Sequence, residues 1–152
     1  MLKETYTYAP LSRVNLDGSR HYQTPEGKPL PSVTTVLSAL ADKTALHEWR
    51  KRVGNEEANR IMNLATGIGT QVHLHLEKFI LEEDRPSGTN LIHQMAKELS
   101  DIVINDGLSN ISEVWGTEVP LYYPGLYAGT ADCIGVYKGQ QAIIDFKTTR
   151  KP

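Results

Sequence analysis

The sequence predicts an α/β domain in which N-terminal helices pack on a C-terminal antiparallel meander of three strands. Two observations carry this expectation. Between residues 33 and 103, apolar side chains recur at the three-to-four spacing of a buried helix face. From residue 112 onward the period shortens to two, in three runs rich in β-branched and aromatic residues. Helical segments followed by strands favour one layer of each around a shared core. A chain of 152 residues is long enough to build that core without disulfides.

Taken in order, residues 1–30 read as a turn-rich arm. Within it a short strand over 20–24, a turn at Pro25-Glu26-Gly27 and a return through Lys28-Pro29-Leu30 suggest a hairpin. Residues 31–106 form the helical layer. Ser32 is placed to cap a helix over 33–40 and Thr44 to cap a second over 45–53, which Gly54-Asn55 would stop. From residue 56 to 81, Ile61, Leu64, Ile68, Val72, Leu76 and Ile80 keep helical spacing. Gly67 and Gly69 interrupt it, so the segment is either two helices or one with a bend. A further amphipathic helix is expected over 90–105. Residues 107–152 form the sheet, with strands over 112–123, 127–137 and 141–148 separated by Pro124-Gly125 and Lys138-Gly139.

Composition restricts the function only loosely. No apolar run reaches the ~20 residues of a membrane helix, and the first residues have neither a signal h-region nor an Arg-rich transit character. A reducing, cytoplasmic compartment away from membranes is therefore expected. The lone Cys133 lies in an apolar stretch, where a buried thiol is the expectation. A formal net charge of −2 means that contacts to nucleic acid would have to come from local patches, such as Arg50-Lys51-Arg52 or Lys147, Arg150 and Lys151.

The segment from Gly129 to Lys147 carries the chemistry. If Lys138-Gly139 is a two-residue hairpin loop, Tyr137 faces Gln140, and counting back sets Asp132 opposite Asp145. Period-two alternation puts Lys147 on the same face. A four-residue loop would pair Asp132 with Lys147 and still keep the three together, whereas a three-residue loop without a bulge would separate them. Close carboxylates beside an apolar strand repel unless protonated, paired or bound to a cation. Oxygen-rich groups of this kind suit Mg²⁺ or Mn²⁺. The structural alternative is an Asp–Lys–Asp network on a half-exposed sheet face. On the helix upstream, His73 and Glu77 stand four apart on one face, while His75 points elsewhere.

These residues together form a recognisable pattern. Asp132, Asp145-Phe146-Lys147 and the helix bearing Gly69, His73 and Glu77 resemble the RecB-like branch of the PD-(D/E)XK nuclease superfamily. Within it they are most similar to the mitochondrial genome maintenance exonuclease group. Pro31-Ser32-Val33-Thr34-Thr35-Val36-Leu37 and Leu46-His47-Glu48-Trp49 add to the likeness, as do the blocks from Tyr127 to Cys133 and from Asp145 to Pro152. The resemblance implies a restriction-endonuclease-like core and a metal-dependent deoxyribonuclease, with an exonuclease expected. Its substrate would be DNA that is single-stranded or has free ends. By the same resemblance His73, Asp132, Asp145 and the Phe146 carbonyl would hold Mg²⁺ or Mn²⁺. Lys147 would position or activate the attacking water, and Glu77 would orient a ligand. Thr148, Arg150, Lys151 and Tyr127 would touch DNA, with Trp49 and Tyr123 as further stacking surfaces or, in the alternative, core aromatics.

The chain departs from the family in three respects. Ala131 stands where many members have proline, and the missing presequence favours a phage or bacterial member. The sequence also ends at Pro152, before the helix that usually follows the Asp-x-Lys strand. Either the sequence is a trimmed fragment, or the core is completed another way, for instance by a second copy or a partner subunit. The alternative function is a nuclease-derived module that binds nucleic acid or protein without cutting.

Overall fold

A computed structural model describes residues 2, 3 and 5–149. It has the predicted α/β character, with helices and two antiparallel three-stranded sheets. The N-terminal arm is the first sheet: β1 (Ser12–Leu16), β2 (Ser19–Gln23) and β3 (Pro29–Pro31), in that spatial order. The β2–β3 hairpin follows the expected strand and return, but β1 was not foreseen. Its cause is local: Asp17 and Gly18 take φ of 51° and 76°, the two consecutive positive values that a tight hairpin turn demands.

Helix α1 (Val33–Leu40) begins as predicted, with the Ser32 hydroxyl accepting from the Thr35 N–H at 3.0 Å. Helix α2 (Thr44–Val53) differs at its start. The Asp42 carboxylate, not Thr44, supplies the capping oxygen, accepting from the Thr44 N–H at 2.9 Å. Helix α3 (Asn55–Ile80) runs unbroken through Gly67 and Gly69. A Cβ at Gly67 would meet Ile92 of the next helix at 3.4 Å, and one at Gly69 would meet the Thr148 hydroxyl at 3.4 Å, both ordinary contact distances. Helix α4 (Leu91–Ile102) is capped by Asn90 and leads through a π-helical turn (Val103–Gly107) and a short 3₁₀ turn (Leu108–Asn110) into the second sheet.

That sheet is β4 (Ile111–Tyr123), β5 (Tyr127–Tyr137) and β6 (Gln140–Ile144). The β5–β6 turn is the two-residue loop that strand counting requires, with Tyr137 paired to Gln140 and positive φ at Lys138 and Gly139. The final strand was expected to run over 141–148 but stops at Ile144. Its last ladder pair is Cys133 with Ile144. Beyond it the Phe146 N–H bonds the Asp132 side chain at 2.8 Å, and the chain leaves regular pairing.

The main core lies where α3 crosses the sheet. Ile68, Val72, Leu76 and Ile80, each four residues apart, pack with Ala96 of α4 and with Ile111, Val114 and Cys133 of the strands. Full burial of such side chains contributes about 1.5–3 kcal/mol each. A smaller core of Tyr22, Leu30 and Ala128 fastens the N-terminal sheet to β5, where Ser32 also bridges Ala128. No helix among the described residues is long and apolar enough to cross a membrane.

Candidate metal centre and groove

Helix α3 presents His73 toward the point where β5 and the segment after β6 part. The His73 Nε2 lies 2.7 Å from the Phe146 carbonyl oxygen. A carbonyl can only accept, so Nε2 carries the proton and donates it. In the neutral ring this leaves the Nδ1 lone pair free, and it faces Asp132 Oδ1 at 3.7 Å. The Phe146 carbonyl, expected beside an ion, thus carries the imidazole N–H and fixes its tautomer. The Phe146 ring adds an edge-on contact to the imidazole at 6.3 Å.

A third group joins them that sequence reasoning missed. Donor atoms of His73, Glu118 and Asp132 all lie within 4.8 Å of one another. Glu118 sits on β4, bracketed by the pairs Thr117–Cys133 and Val119–Ala131, which sets it opposite Asp132. The signal was available: Tyr123 pairs with Tyr127 across the Pro124-Gly125-Leu126 turn, and counting back from that pair reaches Glu118 and Asp132. Glu118 has φ of 48°, a backbone conformation that non-glycine residues seldom adopt. Such strain collects at functional positions.

Electrostatics fit a cation there. Burial raises the Asp132 carboxyl above its ordinary range, opposed by the Phe146 N–H and His73 and reinforced by Asp145. The Glu118 carboxyl is raised by desolvation first, then by Asp132 and Glu77, although part of the residue remains exposed. Two carboxylates and one neutral imidazole are a donor set for a divalent ion. Opposed ligands of Mg²⁺, at about 2.0–2.1 Å each, would stand about 4.2 Å apart. The observed limit of 4.8 Å is wider, so the donors would have to close by up to about 0.6 Å around such an ion.

The remaining predicted residues lie around this group. Asp145 is exposed and its carboxylate is turned to Lys147, with Nζ at 2.9 Å from Oδ2. Both line the same groove as the metal-type cluster, on its rim. The Glu77 side chain makes no hydrogen bond or ion pair with another described residue; it is felt at the site through its charge on Glu118. Thr148 is exposed and packs against Gly69. Tyr127 is exposed and pairs with Tyr123, ring centres 6.0 Å apart. Trp49 does not line the groove. Arg150 and Lys151 lie outside the described residues.

His75, two residues on from His73 and so about half a turn round the helix, is buried in the α3–α4 interface. Arg85 donates to its Nδ1 at 3.1 Å and to Ser100 at 2.7 Å, and pairs with Asp101 at 2.8 Å. Burial and then Arg85 lower the His75 pKa, so it is a neutral structural residue. The Cys133 thiol is buried and pushed up to about 11, which makes it inert.

The groove itself has a volume of about 720 Å³. Its floor is β5 from Gly129 to Asp132, and its opposite wall is formed by Arg13, Arg20 and Tyr22 of the first sheet and by α1. No family model matches the chain. The chain is similar to mitochondrial genome maintenance exonuclease 1 of Xenopus tropicalis, 26% identical over 137 residues. It is likewise similar to the protein of that name from Mus musculus, 28% identical over 131 residues. In both comparisons 81% of this chain is matched, and it spans only 37–38% of the relatives' length.

Proposed function

We propose that this chain is a Mg²⁺- or Mn²⁺-dependent deoxyribonuclease domain over residues 1–152, acting on single-stranded or free-ended DNA. The observation that carries the reading is the His73 imidazole. Its Nε2–H is committed to the Phe146 carbonyl, and its Nδ1 stands 3.7 Å from Asp132 Oδ1 within a His–Glu–Asp donor set. The similarity to proteins named exonucleases supports phosphodiester hydrolysis as the chemistry. The resemblance to RecB-like nucleases supports the same assignment, and a phage or bacterial cytoplasm is the setting we infer.

In this reading His73, Glu118 and Asp132 hold the ion, and Asp145 is the further carboxylate, shared with Lys147. When bound, the ion supplies Lewis acidity to the scissile phosphate and lowers the pKa of a bound water. The protein's own groups do the positioning. The Phe146 carbonyl orients the imidazole, and the Phe146 N–H orients Asp132. Lys147, with a side chain 79% exposed and tethered by Asp145, holds an ammonium at the groove. There it donates to phosphate oxygens as negative charge builds on them.

The test is Lys147→Ala. Removing a charge-stabilising donor costs on the order of 10²–10³ in rate, while Mn²⁺ binding and the fold should persist, as measured by calorimetry and circular dichroism. Degradation of labelled single-stranded DNA at the wild-type rate by this variant would remove Lys147 from the mechanism. Absence of cleavage by the wild type with Mg²⁺ or Mn²⁺, on single- and double-stranded substrates alike, would replace the enzyme with a binding module.

A further inference from the structure

A second cavity, of about 410 Å³, lies between the β1–β2 turn and helix α1, and Lys43 of the link to α2 also lines it. It shares Arg20, Ser32 and Thr34 with the groove, but none of His73, Glu118 and Asp132 reaches it. Its polar lining is rich in donors. Arg20 and Lys43 are cations, and neither makes an ion pair with another described residue. No carboxylate lines the cavity. The acids closest to it in sequence are Asp17 and Asp42, and Asp42 is committed to Thr44, accepting from its N–H and hydroxyl at 2.9 and 2.6 Å.

The hydroxyls divide into two sets. The Thr35 hydroxyl donates to the Arg20 carbonyl at 2.9 Å, so Ser32 must donate to the Thr35 oxygen, also at 2.9 Å. The Ser32 oxygen in turn accepts the Thr35 N–H, and the end of α1 is thereby capped by the protein itself. Ser19, Thr34 and Ser38 form the other set, because no other described residue bonds their hydroxyls. Thr34 and Ser38 stand four apart on α1 and share a face. Two cations are more than a single carboxylate requires. A phosphate group carries about −1.5 to −2 at neutral pH and offers three strong acceptor oxygens. No aromatic and no large apolar side chain lines the cavity, so nothing in it would read a base or an acyl chain. We propose that this cavity binds a phosphate group, carried by inorganic phosphate or by a phosphomonoester. Arg20 and Lys43 supply the counter-charge, and Ser19, Thr34 and Ser38 donate to its oxygens. The site is separate from the metal centre and does not depend on the nuclease reading.

The experiment titrates inorganic phosphate into the isotopically labelled full chain without divalent metal, at an ionic strength held constant with NaCl, and follows backbone amides by NMR. Saturable shifts centred on Ser19, Thr34, Ser38 and Lys43 are expected. The double variant Ser38→Ala/Lys43→Gln changes two exposed side chains, so its circular dichroism should match the wild type. It should bind phosphate roughly tenfold or more weakly. A parallel titration with thymidine monophosphate separates the sources. Tighter binding of the monoester, lost in the variant, makes a phosphomonoester the ligand, and equal or weaker binding makes it inorganic phosphate. Shifts confined to the surroundings of His73 and Asp132 overturn the site. So does wild-type affinity in the double variant, or a wild type that saturates with neither probe.

Discussion

Glu118 is the residue on which the site can be tested most directly, because a ligand that is costly to the empty protein should leave a signature in stability. Its carboxyl is raised by desolvation, then by Asp132 and Glu77, with His73 and Arg13 opposing. For an acid whose folded pKa lies above its unfolded one, the native state binds more protons than the unfolded chain between the two values. The stability tied to that group is therefore present at acid pH and lost as pH rises through the window, so at neutral pH the ionised carboxylate is a penalty. Glu118→Gln removes it, and no described hydrogen bond of the side chain is lost. Because the residue is partly exposed, solvent screening limits the gain to about 0–1 kcal/mol. For a chain of this size that is a rise of up to about 2–4 °C in Tm without metal. The gain should shrink below the ordinary glutamate range near about pH 4. With Mn²⁺ at a hundredfold excess over its Kd, the wild type should gain about 2.7 kcal/mol. A tenfold loss of affinity in the variant would cut this to about 1.4 kcal/mol. Thermal melts with and without Mn²⁺ read both effects, and calorimetry supplies the Kd. Equal Mn²⁺-induced shifts in the two proteins, or a metal-free variant that melts below the wild type, would refute Glu118 as a ligand.

Other consequences concern the scaffold that holds the site. Leu76 is fully buried between α3 and the sheet, so Leu76→Ala should cost about 2–5 kcal/mol in urea unfolding; a cost well under that range would mean the helix is not packed as described. A Cβ at Gly135 would stand 2.1 Å from the Glu113 carbonyl, a backbone atom fixed by the bulged β4–β5 ladder. Gly135→Ala should therefore destabilise by about 1–3 kcal/mol or more, seen as a lower Tm and weaker Mn²⁺ binding together. His75 has its pKa lowered by burial and then by Arg85. The stability it provides is present above the ordinary histidine value of about 6.5 and lost as pH falls below it. His75→Asn keeps an acceptor for Arg85 without titrating in this range, so it should flatten the decline in urea midpoint between about pH 7.5 and about pH 5. Parallel declines in both proteins would assign the acid sensitivity elsewhere.

Much of the fold was legible because its determinants are local. The Ser32 cap, the helical spacing of Ile68, Val72, Leu76 and Ile80, and the Lys138-Gly139 turn each act over a few residues, and the structure follows them. Gly67 and Gly69 misled because glycine lowers helix propensity without forbidding a helix, and the packing of Ile68, Val72, Leu76 and Ile80 carries α3 through both positions. The β1 strand was overlooked although Asp17-Gly18 is a strong hairpin signal, since Arg13, Asn15 and Asp17 make its run too polar to read as a strand. Helix α2 shows a different error, a helix in its expected place whose first N–H is satisfied by Asp42 and not by Thr44, which is itself the first helical residue. For the site, counting across one hairpin related Asp132 to Asp145 and left out the other hairpin, where the same count leads to Glu118.

What no count could reach is the role of the Phe146 main chain. A continuing ladder would have spent the residue's backbone on β5, as it does for Ile144 and the residues before it. Leaving the sheet frees both polar groups of one residue for side chains from two different layers. The N–H is taken by Asp132 on β5 and the carbonyl by His73 on α3. Each bond satisfies a backbone group that would otherwise need water in a partly buried place. Together they fix two donors relative to each other through the backbone of a single residue, while the Phe146 ring packs against the main core. The apparent shortening of β6 is thus what lets a helix and a sheet present one donor set. It also leaves the Asp-x-Lys segment beyond the last pair of its strand, where the Phe146 backbone is open to both side chains.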